Sequence, residues 1–202
     1  MVAPTKQEIR KEILARRQAL SAGEIDQRSQ RIYRNFIGHL DEILPKQFST
    51  AAIYFPIRGE VDTRPFHKFF KNRKVRCLFP RVADVGSKDS LLDFYPVDDW
   101  SELQLGSFGI GEPAAASGAA IRPDVVMVPG LAYSHDAHRL GFGGGYYDRT
   151  IDSWTASGIR SSVKLIGLSY EFQVLQQLPC EPHDHQLDFV VSEEQVLKGA
   201  VS

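Results

Sequence analysis

The feature that most constrains this chain is a strand, a glycine-rich loop and a helix in near-direct succession. Asp124-Val125-Val126-Met127-Val128-Pro129 reads as a buried central strand. After a short connection follow Arg139-Leu140-Gly141-Phe142-Gly143-Gly144-Gly145-Tyr146-Tyr147-Asp148. Four glycines fall within five positions of that run. Glycine loses more backbone freedom on folding than any other residue, so the cluster is costly unless the chain must bend sharply or approach something closely. An anion is the natural object of such an approach, because successive backbone amides can form a concave nest for phosphate oxygens. A helix expected from about Gly144 to Trp154 adds its own unpaired N–H groups.

The rest of the chain repeats the alternation. Residues 6–19 read as a helix. Ser21-Ala22-Gly23-Glu24 fits a capping box opening a second helix to about Leu40, with Ile25, Ile32, Phe36, Ile37 and Leu40 as its apolar face. Ala51 to Phe55 reads as a buried strand stopped by Pro56. Pro65 starts a third helix carrying Phe66, Phe69 and Phe70. Val75–Phe79, Leu92–Val97, Leu165–Ser169 and Phe189–Ser192 are further strands, and Ala114–Ala120 is a surface loop. An N-terminal helical pair followed by alternating strands and helices predicts an α/β fold with a mixed, largely parallel sheet flanked by helices. Ligands of such sheets bind at the carboxyl ends of strands, where the glycine loop lies.

Composition narrows the function classes. The 202 residues suit one domain, 1–202, and 43% hydrophobic with 24% charged residues suits a packed core. A net charge of −1 argues against wholesale nucleic-acid or membrane binding. Cys77 and Cys180 are too few for a disulfide framework or a cysteine zinc site, which suggests a reducing compartment. The N-terminus has no apolar targeting region, and no stretch approaches the length of a membrane span. The expected location is the cytoplasm.

The glycine loop matches neither the P-loop, which ends Gly-Lys-Ser/Thr, nor the G-x-G-x-x-G pattern, which would need glycine where Tyr146 stands. A merely flexible loop is the plain alternative. Arg139 before the loop and Asp148 after it favour a guanidinium for phosphate and a carboxylate for Mg²⁺. On a helical wheel Lys6, Arg10 and Arg17 fall within ~40° of one another, inside the arc of Ile9, Ile13 and Leu14. Basic groups inside an apolar stripe need an anion, either a bound phosphate or an internal carboxylate. Glu60-Val61-Asp62-Thr63 after the first strand is either a ligand site or a turn with Asp62 or Thr63 capping the next helix. His135 and His138 with His183 and His185 tempt a zinc reading, but lack H-E-x-x-H spacing. Asp184 fits an outer Mg²⁺ ligand better.

These pieces occur in an order that resembles the 5-formyltetrahydrofolate cyclo-ligase family. The segments are Lys6-x-x-x-Arg10, Glu60 to Thr63, Phe108-Gly109-Ile110-Gly111-Glu112-Pro113, Val128-Pro129-Gly130-Leu131-Ala132, Arg139 to Asp148 and His183-Asp184. The resemblance implies a Rossmann-like sheet of the phosphosugar isomerase and CoA-transferase kind. It also implies ATP- and Mg²⁺-dependent closure of 5-formyltetrahydrofolate, with or without a polyglutamate tail, to 5,10-methenyltetrahydrofolate, with ADP and phosphate released through a phosphorylated formyl intermediate. It places Lys6, Arg10, Arg139 and Leu140-Gly141-Phe142-Gly143-Gly144-Gly145-Tyr146-Tyr147 at the nucleotide, and Asp148 and Asp184 at Mg²⁺. It places Phe55, Glu60, Phe142 and Tyr146 at the folate, with Arg139, Tyr146 and Glu60 as the catalytic group. The expected assembly is a monomer. Arg17 receives no role. Some relatives carry a lysine or arginine in the loop where this chain has Phe142-Gly143-Gly144, which bears on affinity for ATP or a polyglutamate tail, and Arg149 is expected to point elsewhere on its helix. The alternatives are a folate-binding protein without catalysis and an ATP-independent phosphosugar isomerase-like enzyme.

Overall fold

The computed structural model describes residues 4–87, 89–106, 109–114, 118–181 and 184–200. In chain order its helices are α1 (Lys6–Gln18), α2 (Ala22–Gly38), α3 (Leu40–Ile43), α4 (Arg64–Asn72) and α5 (Tyr146–Ala156). The strands are β1 (Thr50–Ala52), β2 (Arg76–Val82), β3 (Leu92–Pro96), β4 (Gln104–Leu105), β5 (Gly111–Glu112), β6 (Val125–Val128), β7 (Ala132–Ser134), β8 (Arg139–Leu140), β9 (Lys164–Leu168), β10 (Val174–Leu175), β11 (Phe189–Val191) and β12 (Val196–Lys198).

Seven strands form the main sheet in the order β12-β11-β9-β6-β1-β2-β3. The inner five run parallel, and β12 and β3 join antiparallel at the edges. The fold is therefore the mixed, mostly parallel α/β sheet flanked by helices that the alternation predicts. Its apolar strands alternate between two cores, as a period of two requires. Ala51, Ile53, Val125, Met127 and Ile166 face α2 and α4, where Phe36, Phe66, Phe69 and Phe70 pack edge to face. Ala52, Val126, Val128, Leu165 and Val190 face the other side, with Ile151 of α5. Both faces being covered explains why these strands read as unbroken apolar runs.

Helix starts obey local chemistry. Ser21 Oγ accepts from Glu24 N and the Glu24 carboxylate accepts from Ser21 N, the expected box; Thr5 and Glu8 form a second one before α1. The second helix ends at Gly38 instead of Leu40, and Leu40 opens the short α3. Thr63 occupies the cap position of α4, but its hydroxyl donates to Tyr54 O; Asp62 accepts from Arg64 N instead. The segment expected as strand to Phe55 leaves the sheet after Ile53, whose N–H still reaches Leu78 O. Residues 115–117 of the expected surface loop lie outside the described residues.

The chain leaves β1 toward β2 through α4, and leaves β6 toward β9 through α5. These adjacent strands thus send their connections in opposite directions, to opposite faces. The divergence opens a crevice at their carboxyl ends, where ligands of open α/β sheets bind. A small sheet, β10-β7-β8, sits beside it, and α1 packs there through Ile9 and Ile13 against Leu131, Ala132 and Leu140.

Candidate active site

A cavity of about 860 Å³ occupies the crevice. Every residue expected from sequence at a ligand lines it: Lys6, Arg10, Phe55, Glu60, Arg139 and Leu140 to Asp148, and Asp184. His183 and Phe108 lie outside the described residues. Among those described, no three His, Cys, Asp or Glu side chains cluster as a metal cage. His185 instead pairs with Asp152 at 2.7 Å, and His138 with Asp136 at 3.0 Å.

One end of the cavity is built from cation–carboxylate pairs. Lys6 Nζ meets Asp184 Oδ2 at 2.6 Å and Glu181 Oε2 at 2.5 Å. Partial burial would lower the Lys6 ammonium, but these hydrogen bonds and charges outweigh it and hold it above its ordinary value. Arg139 Nη2 meets Asp148 Oδ1 at 2.7 Å and its Nη1 donates to Pro129 O at 3.2 Å. Arg10 Nε donates to Gly141 O at 2.9 Å, tying α1 to the loop. Arg139, expected just before the loop, lies on β8, which fixes its guanidinium against Gly141 of the loop. Gly143 and Gly145 have φ of 100° and 68°, the left-handed region that side chains avoid, and Gly145 caps α5 from there. Their conformation turns the loop sharply into the N-terminus of α5.

The other end is aromatic and acidic. The Phe55 ring packs against Trp100 at 5.5 Å, and closely enough on Gly111 that a Cβ there would lie 2.6 Å from the ring. Glu60 closes a turn whose central residues, Arg58 and Gly59, have φ of 49° and 73°. Ile57 N donates to Glu60 Oε2 at 3.0 Å, whereas the buried Oε1 has no hydrogen-bond partner. Burial pushes the Glu60 carboxyl up to about 7, against the opposing pull of Arg17, the Ile57 amide and Arg58.

Sequence reasoning missed several lining residues. Glu112 on β5 is buried in the wall, and burial raises its carboxyl despite Arg81. Arg149 does not point elsewhere: it lines the cavity, donates to Ser90 O at 3.1 Å and lies 5.0 Å over the Tyr146 ring. The signal for Glu112 was present in the Ile110-Gly111-Glu112-Pro113 run. Nothing local marked Arg149, because the left-handed start of α5 turns that face inward. The basic face of α1 also resolves. Lys6 and Arg10 reach the cavity, while Arg17 is buried and finds the internal carboxylate, Glu60 Oε1, at 3.6 Å.

A strand-end cavity with a glycine loop, paired cations and an unsatisfied carboxylate defines an α/β enzyme acting on a small anionic ligand. Comparison with known proteins gives the family. Residues 2–193 match the model of the 5-formyltetrahydrofolate cyclo-ligase family, and the chain belongs to that family and is a ligase. It is 32% identical to 5-formyltetrahydrofolate cyclo-ligase of Mycoplasma pneumoniae over 94% of this chain and 99% of that one. It is 29% identical to the mouse cyclo-ligase over 96% of each. Among solved structures, 5,10-methenyltetrahydrofolate synthetase of Aquifex aeolicus superposes with a TM-score of 0.76 at 30% identity, over 98% of this chain and 94% of that one. No described helix is long and apolar enough to cross a membrane.

Proposed function

We propose that this chain, acting as a single catalytic unit and a monomer, closes 5-formyltetrahydrofolate to 5,10-methenyltetrahydrofolate using ATP and Mg²⁺, with release of ADP and phosphate. The observation that carries the reading is Glu60: a buried carboxylate in a ligand-sized cavity, with one oxygen left without a hydrogen bond. Such an oxygen is costly unless a ligand donates to it. The pterin of a folate is flat and rich in N–H donors, and the Phe55 ring, backed by Trp100, offers it an apolar surface. Phe142 and Tyr146 approach the same substrate from the glycine loop.

The opposite end suits a magnesium nucleotide. Mg²⁺ takes oxygen ligands, keeps several waters and needs only one or two carboxylates besides phosphate. Asp148 and Asp184 supply those carboxylates, and the cations now paired with them, Arg139 and Lys6, suit phosphate oxygens. When bound, ATP with Mg²⁺ supplies the phosphoryl group that turns the formyl oxygen from a poor leaving group into a good one. N10 then bonds to the formyl carbon, the N10 proton passes to solvent, and the C–O bond breaks with phosphate leaving. The chain's contribution is position and charge: Arg139 and the loop amides meet developing phosphate charge, and Glu60 fixes the ring system.

The deciding experiment mixes protein, Mg-ATP and 5-formyltetrahydrofolate and follows methenyl absorbance and ADP release together. Equal rates are expected. ADP release without methenyl product, or neither product, would sink the reading.

A further inference from the structure

We propose that Arg17 is a positioning residue for this reaction, which acts through Glu60 to hold that carboxylate ready for the folate. The inference rests on the folate role of Glu60 given above. Arg17 is 1% exposed, and it is the bulkiest of the fully buried side chains. Burying a guanidinium is strongly unfavourable unless its donors and its charge are both met. The structure meets the two needs with different groups. Nε donates to Arg58 O at 3.2 Å, Nη1 to Gly130 O at 3.2 Å, and Nη2 to Arg58 O at 3.0 Å and Ile57 O at 3.2 Å. The charge is met by Glu60 Oε1, 3.6 Å from Nη2, beyond hydrogen-bond range.

That division has a chemical consequence. Each guanidinium nitrogen bonds backbone, so Glu60 receives the field of Arg17 without surrendering a lone pair to it. Arg139 and Asp148 show the contrasting arrangement, a direct bond at 2.7 Å. The carbonyls Arg17 holds come from both walls of the crevice: Ile57 and Arg58 follow β1, and Gly130 follows β6. Those bonds also steady the turn in which Arg58 takes a left-handed φ of 49°, a conformation unfavourable for a residue with a side chain.

The other groups facing Glu60 do not substitute for Arg17. Arg58, on the same turn, is exposed to solvent. Tyr54, just after β1, Tyr133 on β7 and Tyr147 on α5 face it, and burial pushes all three phenols up, so they stay neutral. The Tyr170 hydroxyl donates to the Glu60 backbone carbonyl at 3.1 Å and not to its carboxylate.

The test measures equilibrium binding of 5-formyltetrahydrofolate and of Mg-ADP from pH 5.5 to 9. Wild-type folate affinity should rise with pH through a midpoint near 7, and Glu60→Gln should flatten that rise. If Glu60→Gln changes neither affinity nor profile, the folate reading itself falls. With it standing, Arg17→Met should move the midpoint up by about one unit and weaken folate about fivefold at pH 7. Mg-ADP affinity should stay within about twofold, and Arg17→Lys should recover most of the midpoint. An unmoved midpoint, or parallel loss of both affinities, overturns the inference. Should Arg17→Met not fold, Arg17→Gln is compared in wild-type and Glu60→Gln backgrounds. A folate effect that vanishes without Glu60 supports the inference, and one that persists unchanged refutes it.

Discussion

Arg139 and Asp148 satisfy each other in the wall of the cavity, at 2.7 Å, and the proposed reaction would have each exchange that partner for a ligand group. Removing either leaves a charge without its partner, and removes a group expected at phosphate or metal. Arg139→Ala and Asp148→Ala should each lower kcat by about 100-fold or more, the range for one lost charge-stabilising donor. The fold should survive, because the Asp148 side chain remains partly exposed. Near-normal turnover in both would refute these roles. Gly144 offers the opposite experiment. Its φ lies outside the left-handed region, and a Cβ there would sit 3.0 Å from the edge of the Tyr146 ring, which must yield slightly. Gly144→Lys adds a cation at the loop and should tighten Mg-ATP several-fold, as one new charge-assisted contact does; weaker nucleotide binding would count against a phosphate facing this position. At this scale the sequence was most legible. The residues expected at a ligand do line the cavity, whereas Arg149, Glu112 and Glu181 needed the fold to bring them in.

Helices and strands were legible in proportion to their length. The Ser21–Glu24 box identifies the start of α2 because capping is decided within four residues. Ser21→Ala should cost about 1 kcal/mol, a fall of about 2–4 °C in Tm for a chain of this size, read by thermal melting. No change in Tm would mean that the box adds nothing. Gly145, in the left-handed region at the start of α5, should be less forgiving. Gly145→Ala imposes about 1–2 kcal/mol of backbone strain and should lower Tm more than Ser21→Ala does. The strands that escaped notice, β4, β5, β7, β8, β10 and β12, are two or three residues long. So short a strand shows no alternation, and its existence depends on a partner elsewhere in the chain. That is why the strand carrying Arg139 was not foreseen.

For the whole molecule, the sheet order decides where chemistry occurs. It brings the turn after β1, the loop after β8 and α1 around one cavity, and it leaves charges in its wall that folding alone would not favour. Glu60 tests this through stability. Its carboxyl titrates about 7 in the folded state against an ordinary 4.5. Between those values the folded chain holds a proton the unfolded chain has lost, so this group's contribution to stability falls as pH rises from 4.5 through 7. Glu60→Gln should therefore gain Tm relative to wild type as pH goes from 5 to 8. A constant difference would show that the carboxyl is not raised. The two pre-formed pairs make a second prediction. A ligand bearing both phosphate and a divalent cation can exchange partners in both pairs, whereas phosphate or cation alone leaves one member stranded. Mg²⁺ and ATP should each tighten the other's binding about tenfold, by the same factor in both directions, in calorimetric titrations. Independent binding would argue against the exchange.

The sequence by itself determined the α/β alternation, the capped N-terminal helices, the glycine loop and a core set of the residues that line the cavity. These follow from short-range physics: periodicity, capping and the steric freedom of glycine act over a few residues and survive in any alignment of the chain with itself. Only the tertiary structure decided which charge meets which. Lys6 and Asp184 lie 178 residues apart, and Arg17 and Gly130 lie 113 apart. No local pattern encodes such pairs, because they exist only once the sheet has fixed the order of its strands. The fold thus gave Arg17 its partner, and turned an unexplained basic residue in an apolar stripe into the neighbour of the carboxylate expected to hold the substrate.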